Sequence, residues 1–302
     1  MIVVLGSINV DQTAVVKRLP RAGETLAGGV LRMAPGGKGA NQALAARRAG
    51  GEVRLVGAVG QDAFAAQALA LLAAEGVDLA GVRTVAGATG LGLILVDSSG
   101  ENMIVVVPGA NAQIAEADAD LALEGLGEGD VLLLQQEIPA AATGRALELA
   151  RRRGVTSVLN VAPVLEFTPR LARAASIVIA NESEFAMLSG GDPQPLPRSM
   201  QEMARANDQT VIVTLGPGGA LAATGLEMFD APALAIEPVD TVGAGDTFCG
   251  YLAAGLEAGL DLESAMRRAT AAASLACLAP GAQPAIPRRD QLAPFALRER
   301  PA

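Results

Sequence analysis

The sequence contains no histidine and no tryptophan, a single tyrosine and only two cysteines. Without histidine there can be no Ser-His-Asp triad, no His-paired cysteine nucleophile and no His-ligated zinc. Acid–base work near neutral pH then falls to carboxylates, lysine, tyrosine or cysteine. Aromatic residues make up only 2% of the 302, which leaves no stacking platform for single-stranded nucleic acid. The net charge of −9 argues against nucleic acid a second time, because such partners need a basic face. An acidic total still allows an anionic ligand, held locally by backbone N–H groups and a few cations. Cys249 and Cys277 lack metal-type spacing and read as two buried free thiols in a reducing compartment. Long apolar runs are missing as well. The stretch Ala63–Ala74 is broken by Gln67, bounded by Asp62 and Glu75, and too short to span a bilayer. Met1 leads directly into IVVLGS, with no basic n-region and no apolar segment before a cleavage site. The expectation is a cytoplasmic protein with no membrane partner.

Several phosphate-binding motifs are absent too. There is no G-x-x-x-x-G-K-[ST] loop, the opening LGSINVD lacks the G-x-G-x-x-G dinucleotide fingerprint, and H-R-D is impossible without histidine.

What the chain does have is a hydrophobic fraction of 51%, ample for a folded core. Short β-rich runs alternate with Ala/Leu-rich helical patterns, the signature of an α/β protein with a mostly parallel sheet and helices on both faces. Strands are expected at Ile2–Leu5, Val53–Val59, Val131–Leu134, Ser157–Leu159, Ile177–Ala180 and Val211–Leu215. Helices are expected at about 41–49, 62–75, 140–153, 182–188, 197–206, 244–258 and 262–278. No internal repeat and no long linker interrupts residues 1–302, so one domain is expected. Two stretches, about 13–34 and 89–107, break the alternation and read as a small accessory β-sheet. The second has a hairpin turn at Ser98–Asn102. Such a sheet could be an ordinary edge hairpin, a lid or a dimer surface.

The carboxyl ends of the predicted strands are polar. They run into Asn9 and Asp11, Glu137, Asn160, Asn181 and Glu184, and the glycine run Gly216–Gly219. One such residue is more often a helix cap or turn former. Five sets at one end of one sheet favour a crevice for a polar ligand.

Two motifs carry chemistry. In DTVGAGDTF, glycines precede a helical pattern, so backbone N–H groups can face an anion while Gly243 and Gly245 allow close approach. Asp246 alone would read as a helix-start residue. A carboxylate beside an anion site costs electrostatic energy unless it has a task, and taking the proton from a hydroxyl that attacks a phosphoryl group is one. In PGGKGANQA, the Gly37 N–H with the side chains of Lys38 and Asn41 reads as a clamp for a polyol. The bland alternative is a glycine-rich helix entry.

Together GSINVD, PGGKGANQA, NESE, TLGPGG, DTVGAGDTF and PGAQPAIP resemble the ribokinase family, the phosphofructokinase-B-type sugar kinases, in order and spacing over essentially the whole chain. The resemblance implies a Rossmann-like domain with a small β-lid and ATP-dependent phosphorylation of a primary sugar hydroxyl. It also implies a homodimer formed through the lids. Position by position, it makes Asp246 the catalytic base and Gly243, Ala244 and Gly245 the anion hole. Sugar contacts fall on Asn9, Asp11, Gly37, Lys38, Asn41 and Glu137. Nucleotide contacts fall on Asn181, Thr214, Leu215, Gly216, Pro217, Gly218, Gly219, Gly245 and Thr270. Glu184, with Asn181, would organise Mg²⁺ through water. A monovalent cation, K⁺, would rest on Asp240 and on the backbone of Val242, Ala276, Ala279, Gly281 and Ala285. Ala285 stands where relatives often have Ser, and Thr270 where they carry His or Asn. D-Ribose is the expected sugar, because the polar set suits vicinal hydroxyls. 2-Deoxyribose, fructose, a nucleoside, or a non-catalytic sugar-binding role are the alternatives.

Overall fold

Ile2–Leu5 is buried at all four positions, which a strand achieves only when both faces of its sheet are covered. The computed structural model describes residues 1–99, 101–191 and 194–295. Gly100, inside the turn expected at Ser98–Asn102, lies outside the described residues. The strands are β1 Ile2–Leu5, β2 Asn9–Val15, β3 Leu31–Gly36, β4 Val53–Gly60, β5 Asp78–Val85, β6 Gly90–Val96 and β7 Asn102–Val107. They continue with β8 Val131–Leu134, β9 Thr156–Asn160, β10 Ile177–Asn181, β11 Thr210–Thr214, β12 Ala220–Ala223 and β13 Met228–Ala231.

Nine of these form one sheet in the order β13-β12-β11-β10-β9-β8-β1-β4-β5. Pairing is parallel from β5 to β11 and antiparallel across β12 and β13. The chain winds outward from β1 to β4 and β5, then returns to β1's other side with β8. The strand order therefore reverses between β1 and β8, where open α/β sheets place their ligand crevice. Alternate residues of β1 feed opposite cores: Ile2 and Val4 pack with the helices Lys38–Arg48, Ala244–Glu257 and Leu262–Ala276, and Val3 and Leu5 pack with Glu116–Leu123 and Ala140–Arg153. Among the described residues, no helix is long and apolar enough to cross a membrane.

The small sheet has the order β3-β2-β6-β7. Its first strand starts at Asn9 and not near residue 13, so Asn9 and Asp11 belong to this sheet rather than to the end of β1. Registration places Gln12 beside Met33 and Leu93, and Leu93 beside Val105. One face thus carries Leu31, Met33, Leu93, Met103, Val105 and Val107, all exposed. Asp11 lies on the opposite face with Ala34 and Gly92.

The sequence reading passes over β5, β12, β13 and the helix Glu116–Leu123. β5 is an edge strand, DLAGVRTV, whose polar residues and register shift against β4 hide any alternation. β12 and β13 are four residues each, too short to show a period.

Candidate active site

Gly37 has φ 87° and precedes the helix Lys38–Arg48. A Cβ there would sit 2.8 Å from the Asn9 N, so glycine alone lets the helix start against the Ser7–Asn9 backbone. The next helical glycine, Gly39, is equally confined by Gly6, whose α-carbon a Cβ would meet at 2.7 Å. This tight entry brings Lys38 to Glu137, which follows β8. The Lys38 N–H donates to Glu137 Oε2 at 3.1 Å, and its Nζ lies 3.4 Å from Oε1. Ser7 Oγ donates to the same Oε2 at 2.6 Å and accepts from the Gly39 N–H. Burial would lower the Lys38 ammonium, but the carboxylates of Asp246, Glu137 and Glu184 outweigh it and hold the ammonium above its usual value.

The helix Ala244–Glu257 supplies the opposing wall. Gly243, left-handed at φ 79°, leads into it, and a Cβ there would press on Ala282 at 2.9 Å. Nothing lies within 4 Å of where a Gly245 Cβ would stand, so the first-turn backbone faces open space. Of the expected anion-hole groups, the Ala244 N–H already leans on the Thr241 carbonyl at 3.3 Å.

Asp246 is buried in the first turn. Asn41 Nδ2 donates to its Oδ2 at 2.9 Å, and Gln42 Nε2 donates to its Oδ1 at 2.9 Å. Burial raises its pKa, while Lys38 and the two amides pull the other way. The two helices can come this close because Gly250, one turn beyond Asp246, has no side chain. A Cβ there would be 2.5 Å from the Ala45 Cβ.

Asp11 reaches over the site from the small sheet between two glycines; a Cβ on Gly36 or Gly92 would fall 2.2 or 2.3 Å from its carboxylate oxygens. Burial, with Glu137 and Asp246 adding to it and Lys38 opposing, pushes its pKa up to about 6. Asn9 Oδ1 accepts from Asn111 Nδ2 at 2.7 Å, and Asn111 also clasps the N–H and carbonyl of Ile8. Sequence reasoning missed Ser7, Gln42 and Asn111. Gln42 lay within PGGKGANQA, where its polar amide on an otherwise alanine-rich helix was the available signal.

Two cavities meet here. One of about 180 Å³ is lined by Lys38, Asn160, Glu184, Gly243 and Asp246. A larger one of about 610 Å³ runs past Pro217, Leu234, Ile236, Phe248 and Thr270. Asn181, Thr214 and Gly245 line both, so the cavities adjoin at the start of the Asp246 helix. Thr270 Oγ1 is buried without a partner on the wall of the larger cavity. Thr214, Gly216, Pro217 and Gly219 also line it, whereas Leu215 packs against the core and Gly218 sits behind Leu215.

A profile of pfkB family carbohydrate kinases matches residues 1–289. The chain belongs to the pfkB family of carbohydrate kinases. The ribokinase of Bacillus subtilis is 35% identical over 291 residues, covering 96% of this chain and 97% of its own. Among solved structures, the ribokinase of Thermotoga maritima superposes with a TM-score of 0.89 at 32% identity, covering 97% of this chain and 98% of its own. The ribokinase of Arabidopsis thaliana, solved with ribose and ATP, gives 0.88 at 30% identity, covering 97% of each chain.

In this carbohydrate kinase the Asn181–Glu184 pair forms a capping box: the Glu184 N–H donates to Asn181 Oδ1 and the Asn181 N–H to Glu184 Oε2, both at 2.8 Å. Glu184 is half-buried, and burial raises its pKa despite that hydrogen bond and Lys38. Both oxygens of Asp240 are engaged, Oδ1 by the Val242 N–H at 3.0 Å and Oδ2 by the Gly281 N–H at 2.8 Å. The Val239 and Asp240 N–H groups meet the Cys277 carbonyl, so the loop before Gly243 is stitched to the segment after Ala276. Cys249 is buried as expected. Cys277 is not: it closes the helix Leu262–Ala276 and opens onto the larger cavity.

Proposed function

We propose that this kinase transfers the terminal phosphoryl group of ATP to the primary 5-hydroxyl of D-ribose, giving ribose 5-phosphate and ADP. The observation that carries the reading is the placement of a buried, amide-held carboxylate, Asp246, where a small polar cavity and a larger, more apolar one adjoin. Lys38 and Asp246 on the wall of the small cavity, with Asp11 and Glu137 close enough to act on their charges, suit a polyol beside it, and the larger cavity suits a nucleotide. Asp246 takes the hydroxyl proton as the new O–P bond forms and the bond to ADP breaks. First-turn N–H groups around Gly245 and the Lys38 ammonium face the charge on the group in transit. Asn41 Oδ1 is buried with no partner in the protein, which suits it to accept from a sugar hydroxyl.

Magnesium usually rests on one or two carboxylates plus substrate phosphates. Half-buried Glu184 on the wall of the small cavity fits that role through water, and Mg²⁺ there would offset phosphate charge. For K⁺, the Asp240 carboxylate and the carbonyls of Val242, Ala276, Ala279, Gly281 and Ala285 are the candidate oxygens. They fit a hard monovalent ion, and the bond from the Gly281 N–H to Asp240 brings those two groups together. We also propose a homodimer through the apolar face of the small sheet, in a cytoplasmic enzyme. An isolated monomer would leave that face, with Val105 56% exposed and Leu31 62% exposed, in water.

An assay coupled to ADP release, run with pentoses and hexoses, tests the reading. Ribose-dependent ADP is expected. Turnover on another sugar alone would overturn the substrate, and no sugar-dependent ADP would overturn the activity.

A further inference from the structure

Gln42 is fully buried, and its whole amide is committed. Nε2 donates to Asp246 Oδ1 at 2.9 Å and to Asn160 Oδ1 at 3.2 Å, and Oε1 accepts from Gln135 Nε2 at 2.7 Å. The orientation of these amides is forced from both ends. Asn160 Nδ2 turns to the Ile179 carbonyl at 3.3 Å, a backbone acceptor that cannot be exchanged, so Asn160 presents its oxygen to Gln42. Asp246 likewise offers only oxygen when ionised. A flipped Gln42 would set its carbonyl against two oxygens and its NH₂ against the Gln135 NH₂.

We propose that Gln42 is a positioning residue for the base Asp246, the last link of a buried relay that starts on Gln135 beside β8. The relay does two things. It fixes the carboxylate between Gln42 and Asn41, so that the plane facing the small cavity does not rotate. It also favours the ionised form in a buried place, since a carboxylate that accepts hydrogen bonds is held charged. Gln42 has no exposed surface and no amide group left over, so it acts through Asp246 and not on the substrate. Loss of its donor should therefore fall on kcat and on the titration of Asp246, not on substrate affinity.

The inference rests on the proposed role of Asp246, and the test separates the two. Gln42→Met keeps the length of the side chain and removes the amide. We expect kcat lower by about 10- to 100-fold, a lesser share than the base itself supplies, with KM for sugar and ATP within about twofold. The acidic limb of the kcat–pH profile should move up by about one pH unit. An acidic limb that stays put, even with a lowered Tm, would reduce Gln42 to core packing and overturn the proposal. The Asp246 carboxyl can also be followed directly by carbon NMR in the resting protein, identified by its loss in Asp246→Asn. That titration must shift upward in Gln42→Met whatever sugar the enzyme takes, and an unshifted one overturns the proposal without touching the kinase reading. Should Gln42→Met fail to fold, Gln135→Leu provides the same readouts with a smaller shift in the same direction, and no shift there refutes the relay.

Discussion

Asn41 and Asp246 stand 205 residues apart in sequence, yet one N–H of Asn41 meets one carboxylate oxygen of Asp246 at 2.9 Å. That bond leaves the Asn41 carbonyl oxygen buried without a partner in the protein, the acceptor we propose for a sugar hydroxyl. Replacing Asp246 by Asn keeps the size and the polar surroundings but removes the base. Turnover should fall by roughly 10²–10⁴-fold while sugar binding, measured by calorimetry, is largely kept. A near-normal kcat would remove Asp246 from the base role.

Asp11 sets a pH dependence of its own. Its carboxyl is raised from 3.8 to about 6, with burial the leading cause. As pH falls from 7 through about 6, the group takes up a proton and no longer offers two acceptor oxygens. KM for the sugar should therefore rise on the acidic side, and Asp11→Asn should flatten that rise. Stability runs the other way in the ligand-free protein. A raised carboxyl favours folding fully below its unfolded value and loses that contribution as pH climbs through its folded one. Thermal scans should show the Asp11→Asn variant gaining on wild type between about pH 4 and pH 7. A constant difference across that window would contradict the assignment.

Gly250 is the contact that sets the distance between the two helices bearing Asn41, Gln42 and Asp246. Gly250→Ala would place a methyl 2.5 Å from the Ala45 methyl and 2.6 Å from the Gln42 carbonyl oxygen. The helices must part, at a cost of about 1–3 kcal/mol in stability. Because the displaced groups include Asp246, the proposed base, and its two amide donors, activity should fall further than the stability loss explains. Denaturant unfolding and kcat measured on the same preparation check both halves.

The loop stitched by Asp240 offers a separable test. Asp240→Ala frees the N–H groups of Val242 and Gly281. We expect a weakened or lost response to potassium and a higher KM for ATP, with sugar affinity near wild type. Equal stimulation by potassium in variant and wild type would exclude a cation role for this carboxylate.

The apolar face of the small sheet predicts an assembly. Leu93→Asp combined with Val105→Asp puts two charges side by side on neighbouring strands of that face. Sedimentation should show a dimer for wild type and a monomer for the variant. Since Asp11 hangs from the other face of the same sheet, KM for the sugar should rise with it. A wild-type monomer would refute the dimer outright.

Much of this was legible from the sequence, and the exceptions share a cause. β1, β8 and the helix Ala140–Arg153 are found at their expected limits because apolar runs buried on both faces, or a long helical period, announce themselves. Asp246, Lys38, Asn41 and Glu137 do come together, as their motifs suggested. Gln42, Ser7 and Asn111 escaped because they act on other protein groups rather than on a ligand. Their value depends on partners about 100 or more residues away, which no local pattern encodes. The Asn181–Glu184 pair shows the converse: a motif read for its metal chemistry is also a helix cap with both hydrogen bonds formed.

Glu137 gathers Ser7 and Lys38, from 130 and 99 positions back along the chain, onto a single oxygen. Asp246 then joins that cluster from beyond the last parallel strand. A chain emerging from synthesis thus has every strand of the parallel sheet before it has the proposed base, and a fragment stopping short of residue 240 would lack both that carboxylate and two of the helices that cover one face of β1. Recovery of turnover during refolding is accordingly a signal of the last long-range contact, and should lag the return of helical signal.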